Sequence, residues 1–299
     1  MGFLSTFIDG LSLGSIYALI ALGYTMVYGI AKMLNFAHGD VIMVGAFSVF
    51  VTMSTKSPLA DSLQWPAFIA IPFAIALCAL LGIIIEFLAY RPLRKAPPLN
   101  VLITAIGVSY FLQSLALLIF KSDKKAFPKF IDIPVLKITE DLVIKGETWA
   151  TLIVTVILMV ALTLFISKTK MGKAMRAVSE DKEAAELMGI NVNRTISVTF
   201  LIGSALAAVA GVFYGMSYTY IGPYTGSMPG IKAFVAAVFG GIGSIPGAMI
   251  GGILLGVIEK MASAYISNEL ANAIVFLVLI VVLVVKPTGI LGKKISEKV

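Results

Sequence analysis

The side chains with the greatest chemical potential lie in an interruption between two apolar runs, "MLNFAHGD", which contains Asn35, His38, Gly39 and Asp40. An imidazole beside a helix break can both donate and accept a hydrogen bond, so these residues are candidates for substrate or gating contacts on a translocation path. His38 is the only histidine of the chain. Because no base, nucleophile or metal-ligand cluster accompanies it in the sequence, we predict no catalytic site and no metal site.

A structural interpretation of the same interruption competes with the functional one, and we favour it. Asn35 tolerates the left-handed backbone region, and Gly39 relaxes the chain. Asp40 would then cap a helix that starts at Val41. The stretch would be a fixed turn.

A second stretch, "SKTKMGKAMRAVSEDKEAAELMGINVNR", places charged and helix-forming residues between apolar runs. From Gly172 to Met188 it has no proline and favours one short helix. Gly189 would end that helix in the left-handed conformation, and Asn191 and Asn193 would follow as turn or capping residues. One interpretation is an interfacial helix on lipid headgroups. Its four acidic residues would be repelled by anionic lipid, which favours a cytoplasmic protein partner.

The composition defines the class of protein that must position these stretches. Of 299 residues, 59% are hydrophobic and only 13% are charged, whereas soluble domains carry about 25% charged residues. We therefore predict an all-α polytopic membrane protein with its first apolar segment retained. The formal net charge of +7 is explained by membrane topology rather than by nucleic-acid binding. The single cysteine, Cys78, permits no disulfide within the chain.

Membrane segments are predicted from the apolar runs, since a span needs about 17–25 mostly apolar residues. The candidates are 10–30, 41–55, 66–90, 99–120, 149–167, 195–218, 230–262 and 270–286. "GGIGSIPGAM" interrupts the seventh run with residues that disfavour a helix, namely Gly240, Gly241, Gly243, Pro246 and Gly247. Such breaks are tolerated at membrane depth where protein or a water-filled cavity satisfies the backbone, so they mark a candidate translocation path. We expect eight to ten membrane segments, including interrupted or re-entrant helices.

The four arginines predict the orientation, because cytoplasmic loops carry the excess of basic residues. Arg91 and Arg94 lie in one loop, and Arg176 and Arg194 lie in another. Both loops should be cytoplasmic, and the near-neutral connection 121–148 between them should be external. The basic C-terminus is also expected in the cytoplasm, which requires that the break after Gly240 divide its run into two membrane elements.

The second stretch carries a family resemblance. "EAAELMG" has the Glu-Ala-Ala, three residues, Gly arrangement of the loop by which permeases of ABC importers engage their ATPase subunits. Its flanks and two further stretches, "GLSLGSIYALIALGYTMVYGIAKMLNFAHGD" and "AAVFGGIGSIPGAMIGGILLGVIE", resemble branched-chain amino acid permeases of the LivH type. The resemblance runs nearly end to end. The chain departs from the broader importer pattern in lacking a proline in "TFLIGS".

The resemblance implies a single transmembrane permease domain over residues 1–299, with a cytoplasmic coupling loop at 168–194. The residues that would contact the ATPase are Arg176, Glu183, Ala184, Ala185 and Gly189. No G-x-x-x-x-G-K-[ST] phosphate loop occurs in the sequence, so we expect no ATPase activity and no cofactor in this chain. ATP would be bound by two partner subunits.

The resemblance further implies a bacterial inner-membrane importer with a second, related permease chain, an extracytoplasmic solute-binding protein and surrounding lipid. A heterodimer is suggested, and a homodimer remains open. The expected solutes are leucine, isoleucine and valine, with urea or short amides as the alternative. An ion-coupled carrier is less favoured because the few charged residues near membrane depth, such as Glu86 and Glu259, have interfacial explanations. A channel has no support beyond the "GGIGSIPG" segment.

Overall fold

Helices dominate the part of the chain that the computed structural model describes, which is residues 2–54, 63–94, 96–129, 134–139 and 142–292. The helices are α1 (Phe3–Ala31), α2 (His38–Met53), α3 (Ala67–Ile85), α4 (Pro98–Phe120), α5 (Gly146–Lys168), α6 (Lys170–Glu180), α7 (Lys182–Leu187), α8 (Val192–Tyr218), α9 (Ser227–Gly240), α10 (Ile245–Tyr265) and α11 (Ala271–Val285). A π-helical turn, Glu86–Tyr90, and a 3-10 turn, Arg91–Leu93, extend α3.

Six helical segments in the described ranges are long and apolar enough to cross a membrane. They are α1, α3 with its extension to Leu93, α4, α5, α8 and α10. Three shorter apolar helices, α2, α9 and α11, accompany them. The chain is therefore a helical, multi-pass membrane protein. The basic C-terminal residues 293–299, on which part of the orientation argument rests, lie outside the described residues.

In the part of the chain that the structure describes, four short strands accompany the helices of this all-α fold. Strand β1 (Lys125–Ala126) pairs antiparallel with β4 (Tyr220–Ile221), and β2 (Leu136–Thr139) pairs antiparallel with β3 (Leu142–Ile144). All four lie outside the helices, three of them between α4 and α5. They provide backbone hydrogen bonds for connections that would otherwise have unpaired amides.

The break in the seventh apolar run is present, with bounds narrower than predicted. Helix α9 ends at Gly240, and α10 begins at Ile245. Gly241 and Gly243 have φ values of 103° and 92°, a region that only glycine enters readily. Pro246 and Gly247, which we expected in the break, lie in the first turn of α10, where Ser244 caps the helix.

The described residues form two compact units. Those within Met1–Thr25, Ile133–Thr163 and Lys232–Val299 form the first unit, and those within Met26–Asp132 and Leu164–Ile231 form the second. In the second unit α2, α3 and α8 pack together through small residues, so that a Cβ on Gly45 would lie 2.7 Å from the Cα of Ala208. Phe47 stacks on Phe120 with ring centroids 4.0 Å apart.

In the first unit, small residues bring α1 and α10 into backbone contact. A Cβ added to Gly14 would lie 2.6 Å from the carbonyl oxygen of Ile253, and one added to Gly10 would lie 2.8 Å from the Cα of Val257. Close backbone approach through glycine is a common way to pack helices in membranes, where apolar burial supplies little driving force between helices.

Replacing Gly14 by alanine is expected to destabilise the protein by about 1–3 kcal/mol, because the new methyl group meets backbone that cannot turn aside. Thermal unfolding of the purified protein in detergent measures the effect. Gly107→Ala is the matched control, since a Cβ there meets no heavy atom within 4 Å. Equal melting temperatures for the two variants would contradict a packing role for Gly14.

Candidate functional site

The segment between α5 and α8 contains two helices, not the single helix predicted over Gly172–Met188. Helix α6 ends at Glu180 and α7 begins at Lys182, because Asp181 has an extended backbone with φ −154° and ψ 116°. The Asp181 carboxylate accepts hydrogen bonds from the amides of Glu183 and Ala184 at 2.9 and 3.0 Å. Aspartate is a preferred N-cap residue, so this signal was present in the sequence.

The turn that follows α7 has the geometry expected for Gly189, whose φ is +81°. The Gly189 amide donates to the Glu186 carbonyl at 2.9 Å, and the Ile190 amide donates to the Ala185 carbonyl at 3.0 Å. These two bonds make a Schellman motif, which satisfies carbonyl groups at the end of a helix. Asn191 then caps α8 by accepting from the Arg194 amide at 2.9 Å. The chain thus reverses direction within a few residues.

Burial distinguishes an anchored part of the segment, in α6, from a largely exposed tip, Asp181–Gly189. Met175 and Val178 of α6 are 0% and 1% exposed. Four of the five predicted ATPase contacts are exposed, namely Arg176, Glu183, Ala184 and Gly189, whereas Ala185 is buried. Leu187 and Met188 are 89% and 82% exposed. This apolar pair lies beside the exposed charged side chains of Glu183 and Glu186.

Lys182 ties α7 to the end of α1. Its ammonium donates to the carbonyl oxygen of Ala31, the last residue of α1, at 2.9 Å. Lys32 follows in the left-handed conformation, with φ 57°. Burial lowers the pKa of Lys182, and the positive charges of Arg94 and Lys32 lower it further. The bond satisfies a carbonyl group at the C-terminus of α1. A cation is favourable there because it also interacts with the negative end of the helix dipole.

An ion pair with one fully buried partner lies at the end of the α3 extension. Glu86 is fully buried in the π-helical turn and pairs with Arg94, and its other carboxylate oxygen accepts from the Ser197 hydroxyl at 2.6 Å. Arg94 also donates to the side-chain oxygen of Asn193. Arg94, which the sequence analysis assigned only to topology, is therefore the ionic partner of Glu86. Arg91 is exposed, and its guanidinium lies 5.3 Å from the ring centroid of Phe87.

The interruption between α1 and α2 is buried, and its details differ from the predicted turn. Asn35 and Asp40 are 4% and 1% exposed. Helix α2 begins at His38 with Ala37 as its N-cap residue, so Asp40 lies inside the first turn and does not cap a helix at Val41. The left-handed residue of this region is Lys32, not Asn35. Helix formation starts earlier because the His38 amide already bonds the Asn35 carbonyl, at 3.1 Å.

Side chains from other helices hold the interruption in place. Asn35 accepts from the Tyr90 hydroxyl at 2.9 Å, and Asp40 accepts from the Gln113 amide group at 3.0 Å. Gln113 also bonds Ser227, at the start of α9, at 3.2 Å. The backbones approach closely here, since a Cβ on Gly39 would lie 2.6 Å from the Gly226 carbonyl oxygen. The starts of α2 and α9 therefore meet at a buried polar cluster.

The first unit contains a charged cluster that our sequence analysis missed. The Lys232 ammonium lies 2.7 Å from Oε1 of Glu259, and the Tyr17 hydroxyl donates to Oε2 at 2.9 Å. The cluster is largely covered by protein, since the side chain of Glu259 is only 14% exposed and that of Lys232 only 7%. A lysine within an apolar helix was the available signal.

Comparisons with known proteins agree on one class. A family model described as the permease component of branched-chain amino acid transport systems matches residues 6–283. The chain is 45% identical to the high-affinity branched-chain amino acid transport permease BraD of Pseudomonas aeruginosa over 301 residues, which cover 99% of this chain and 98% of BraD. It is 47% identical to the permease LivH of Escherichia coli strain K12 over 302 residues, with the same two coverages.

A more distant relative has the same description. The probable branched-chain amino acid permease LivH of Methanocaldococcus jannaschii is 27% identical over 238 residues, covering 76% of this chain and 71% of the relative. No solved structure shows a significant match.

Proposed function

Because the chain belongs to the family of branched-chain amino acid transport permeases, we propose that it is the membrane-spanning permease subunit of an ATP-driven importer of leucine, isoleucine and valine. The observation that supports this function most directly is the 45–47% sequence identity to permeases of this description over nearly the whole of both chains. The relatives' names give no support to urea or short amides as the solute.

We place energy input at the exposed tip, defined as Asp181–Gly189. The proposed docking surface combines Leu187, Met188 and Glu183 of the tip with the charged side chain of Arg176, which lies in the preceding helix α6. A separate ATP-binding subunit would receive this tip in a groove, and a complete importer would contain two such subunits. Apolar anchors with charged neighbours supply both affinity and specificity in such contacts.

The contacts behind the tip support a route for transmitting its movement. Lys182 connects α7 to the end of α1, immediately before the interruption. Arg94 connects the loop after α3 to the start of α8, the helix that follows the tip. We propose that displacement of the tip is passed through these two connections to α1, α3 and α8. The interruption at Asn35, His38, Gly39 and Asp40 would then move as part of the translocation path.

The remaining parts of the proposed system follow from the resemblance. We propose a second, related permease chain as heterodimeric partner, and a solute-binding protein outside the bacterial inner membrane. The connection after α4 would face that protein. The predicted eight to ten membrane segments and a cytoplasmic C-terminus belong to the same proposal. The break at Gly241 and Gly243 supports it, since it divides one apolar run into two elements.

Transport measurements test this function directly. The complete complex in lipid vesicles is expected to accumulate radiolabelled leucine when ATP is supplied on the cytoplasmic side, without any ion gradient. An inactive ATPase subunit, with its catalytic base replaced, should abolish uptake. Uptake that requires a proton or sodium gradient and proceeds without ATP would identify an ion-coupled carrier instead.

A further inference from the structure

The charged cluster of the first unit links three helices. Glu259 of α10 uses both carboxylate oxygens, one for the Lys232 ammonium of α9 at 2.7 Å and one for the Tyr17 hydroxyl of α1 at 2.9 Å. The Lys232 ammonium also lies 5.9 Å from the centroid of the Tyr17 ring. The cluster thus contains one positive charge and one negative charge, and Tyr17 orients the negative one.

Glycine residues already bring the three helices of the cluster into close contact. Helices α1 and α10 are already in backbone contact through Gly14, and a Cβ on Gly251 of α10 would lie 2.9 Å from the amide nitrogen of Gly240 in α9. A buried ion pair is often no more stabilising than apolar side chains of the same volume, because both charges must leave water. Charged side chains within membrane segments usually mark a transport function. Glu259 lies within α10, a candidate span.

We propose that Lys232 and Glu259 form a subsite that binds the main-chain charges of an α-amino acid during its passage, with the carboxylate on Lys232 and the ammonium on Glu259. The inference rests on the proposed function and specifies its substrate contact. Insertion of the zwitterion replaces one ion pair by two. No charge is left unpaired in the membrane, either with the substrate present or without it.

The two partners differ in how they are held. The Tyr17 hydrogen bond fixes the carboxylate of Glu259, whereas Lys232 has a flexible four-carbon stem whose ammonium can turn toward a new anion. Recognition of the main-chain groups is independent of the side chain. Such a subsite would therefore serve leucine, isoleucine and valine equally, leaving apolar walls to accommodate their side chains.

Neutralisation of both partners tests the proposal. In the complete complex in vesicles, K232M/E259Q is expected to lower the initial rate of ATP-driven leucine uptake about 10- to 100-fold, the effect of losing charged hydrogen bonds to a ligand. The double variant leaves no unpaired buried charge, so insertion of the protein into the membrane and its co-purification with the ATPase should persist. Lys260→Met is the matched control, because Lys260 adjoins Glu259 without belonging to the cluster, and its uptake rate should stay at the wild-type value.

A second measurement uses only the unmodified complex, without its binding protein, and so does not depend on folding of a variant. Saturation-transfer NMR is expected to show stronger binding of leucine than of 4-methylpentanoate or 3-methylbutylamine, each of which has only one of the two charges. Equal binding of the three compounds, or wild-type uptake by K232M/E259Q, would overturn the subsite. Failure of the unmodified complex to transport leucine with ATP would instead overturn the proposed function.

Discussion

Replacing Arg94 by alanine is expected to lower the stability of the protein by about 3–5 kcal/mol, the usual effect of removing one partner from a buried ion pair. Glu86 is fully buried, and in the variant it would keep only the Ser197 hydroxyl as a partner. Arg94 also holds Asn193 at the start of α8. Its loss should therefore loosen the helix that follows the tip. Thermal unfolding in detergent and the yield of inserted protein report the change.

Arg91→Ala is the matched control for Arg94→Ala. Arg91 lies in the same short turn and carries the same charge. It is exposed, and the contact that the structure describes for its guanidinium is with the face of the Phe87 ring. A cation–π contact at an exposed site contributes about 0.5–1 kcal/mol. If both variants lose stability equally, the effect comes from the positive charge of the loop and not from the pair with Glu86.

The features that sequence analysis predicted correctly are those fixed by local backbone chemistry. Gly189 ends a helix in the left-handed region, and Asn191 caps the next one, because these preferences act within a single turn. The break at Gly241 and Gly243 follows from the same local reasoning. These residues would adopt similar conformations in many surroundings, so one sequence suffices to predict them.

The features that sequence analysis missed depend on contacts between residues that are far apart in the sequence or in different helices. Sequence analysis named no partner for Glu86 or Glu259. Glu86 pairs with Arg94, which was assigned only to topology. Glu259 pairs with Lys232, which comes from another helix. Which of several charged residues meet is decided by helix packing, and a single sequence contains no direct record of it.

Asp181 is an instructive exception, because its effect is local and was still missed. Good helix formers flank it on both sides, so propensity summed over the segment favoured one continuous helix. The side chain instead caps α7 through two amide hydrogen bonds. Capping by one residue outweighed the propensity of its neighbours, and it created the short α7 that carries the exposed tip.

The tip gives the second large expected effect. Gly189→Val should place a β-branched residue at φ +81°, a strain of about 1–2 kcal/mol. No heavy atom lies within 4 Å of the added Cβ, so the strain acts through the backbone alone. If the backbone changes conformation to relieve this strain, the Schellman turn opens and Leu187 and Met188 are redirected. We expect the variant to insert normally into the membrane, while ATPase co-purification and solute-stimulated ATP hydrolysis fall roughly five- to thirtyfold, since about 1.4 kcal/mol corresponds to a factor of ten.

Two controls separate this effect from a general disturbance of the tip. Gly189→Asn should retain most coupling, because asparagine tolerates the left-handed region far better than valine. Lys168→Ala changes an exposed residue at the end of α5, which we assign to membrane topology, and should leave coupling intact. If Gly189→Val binds its ATPases and transports leucine at the wild-type rate, the segment is an interfacial helix rather than a docking element. That result would remove Asp181–Gly189 as the proposed site of energy input.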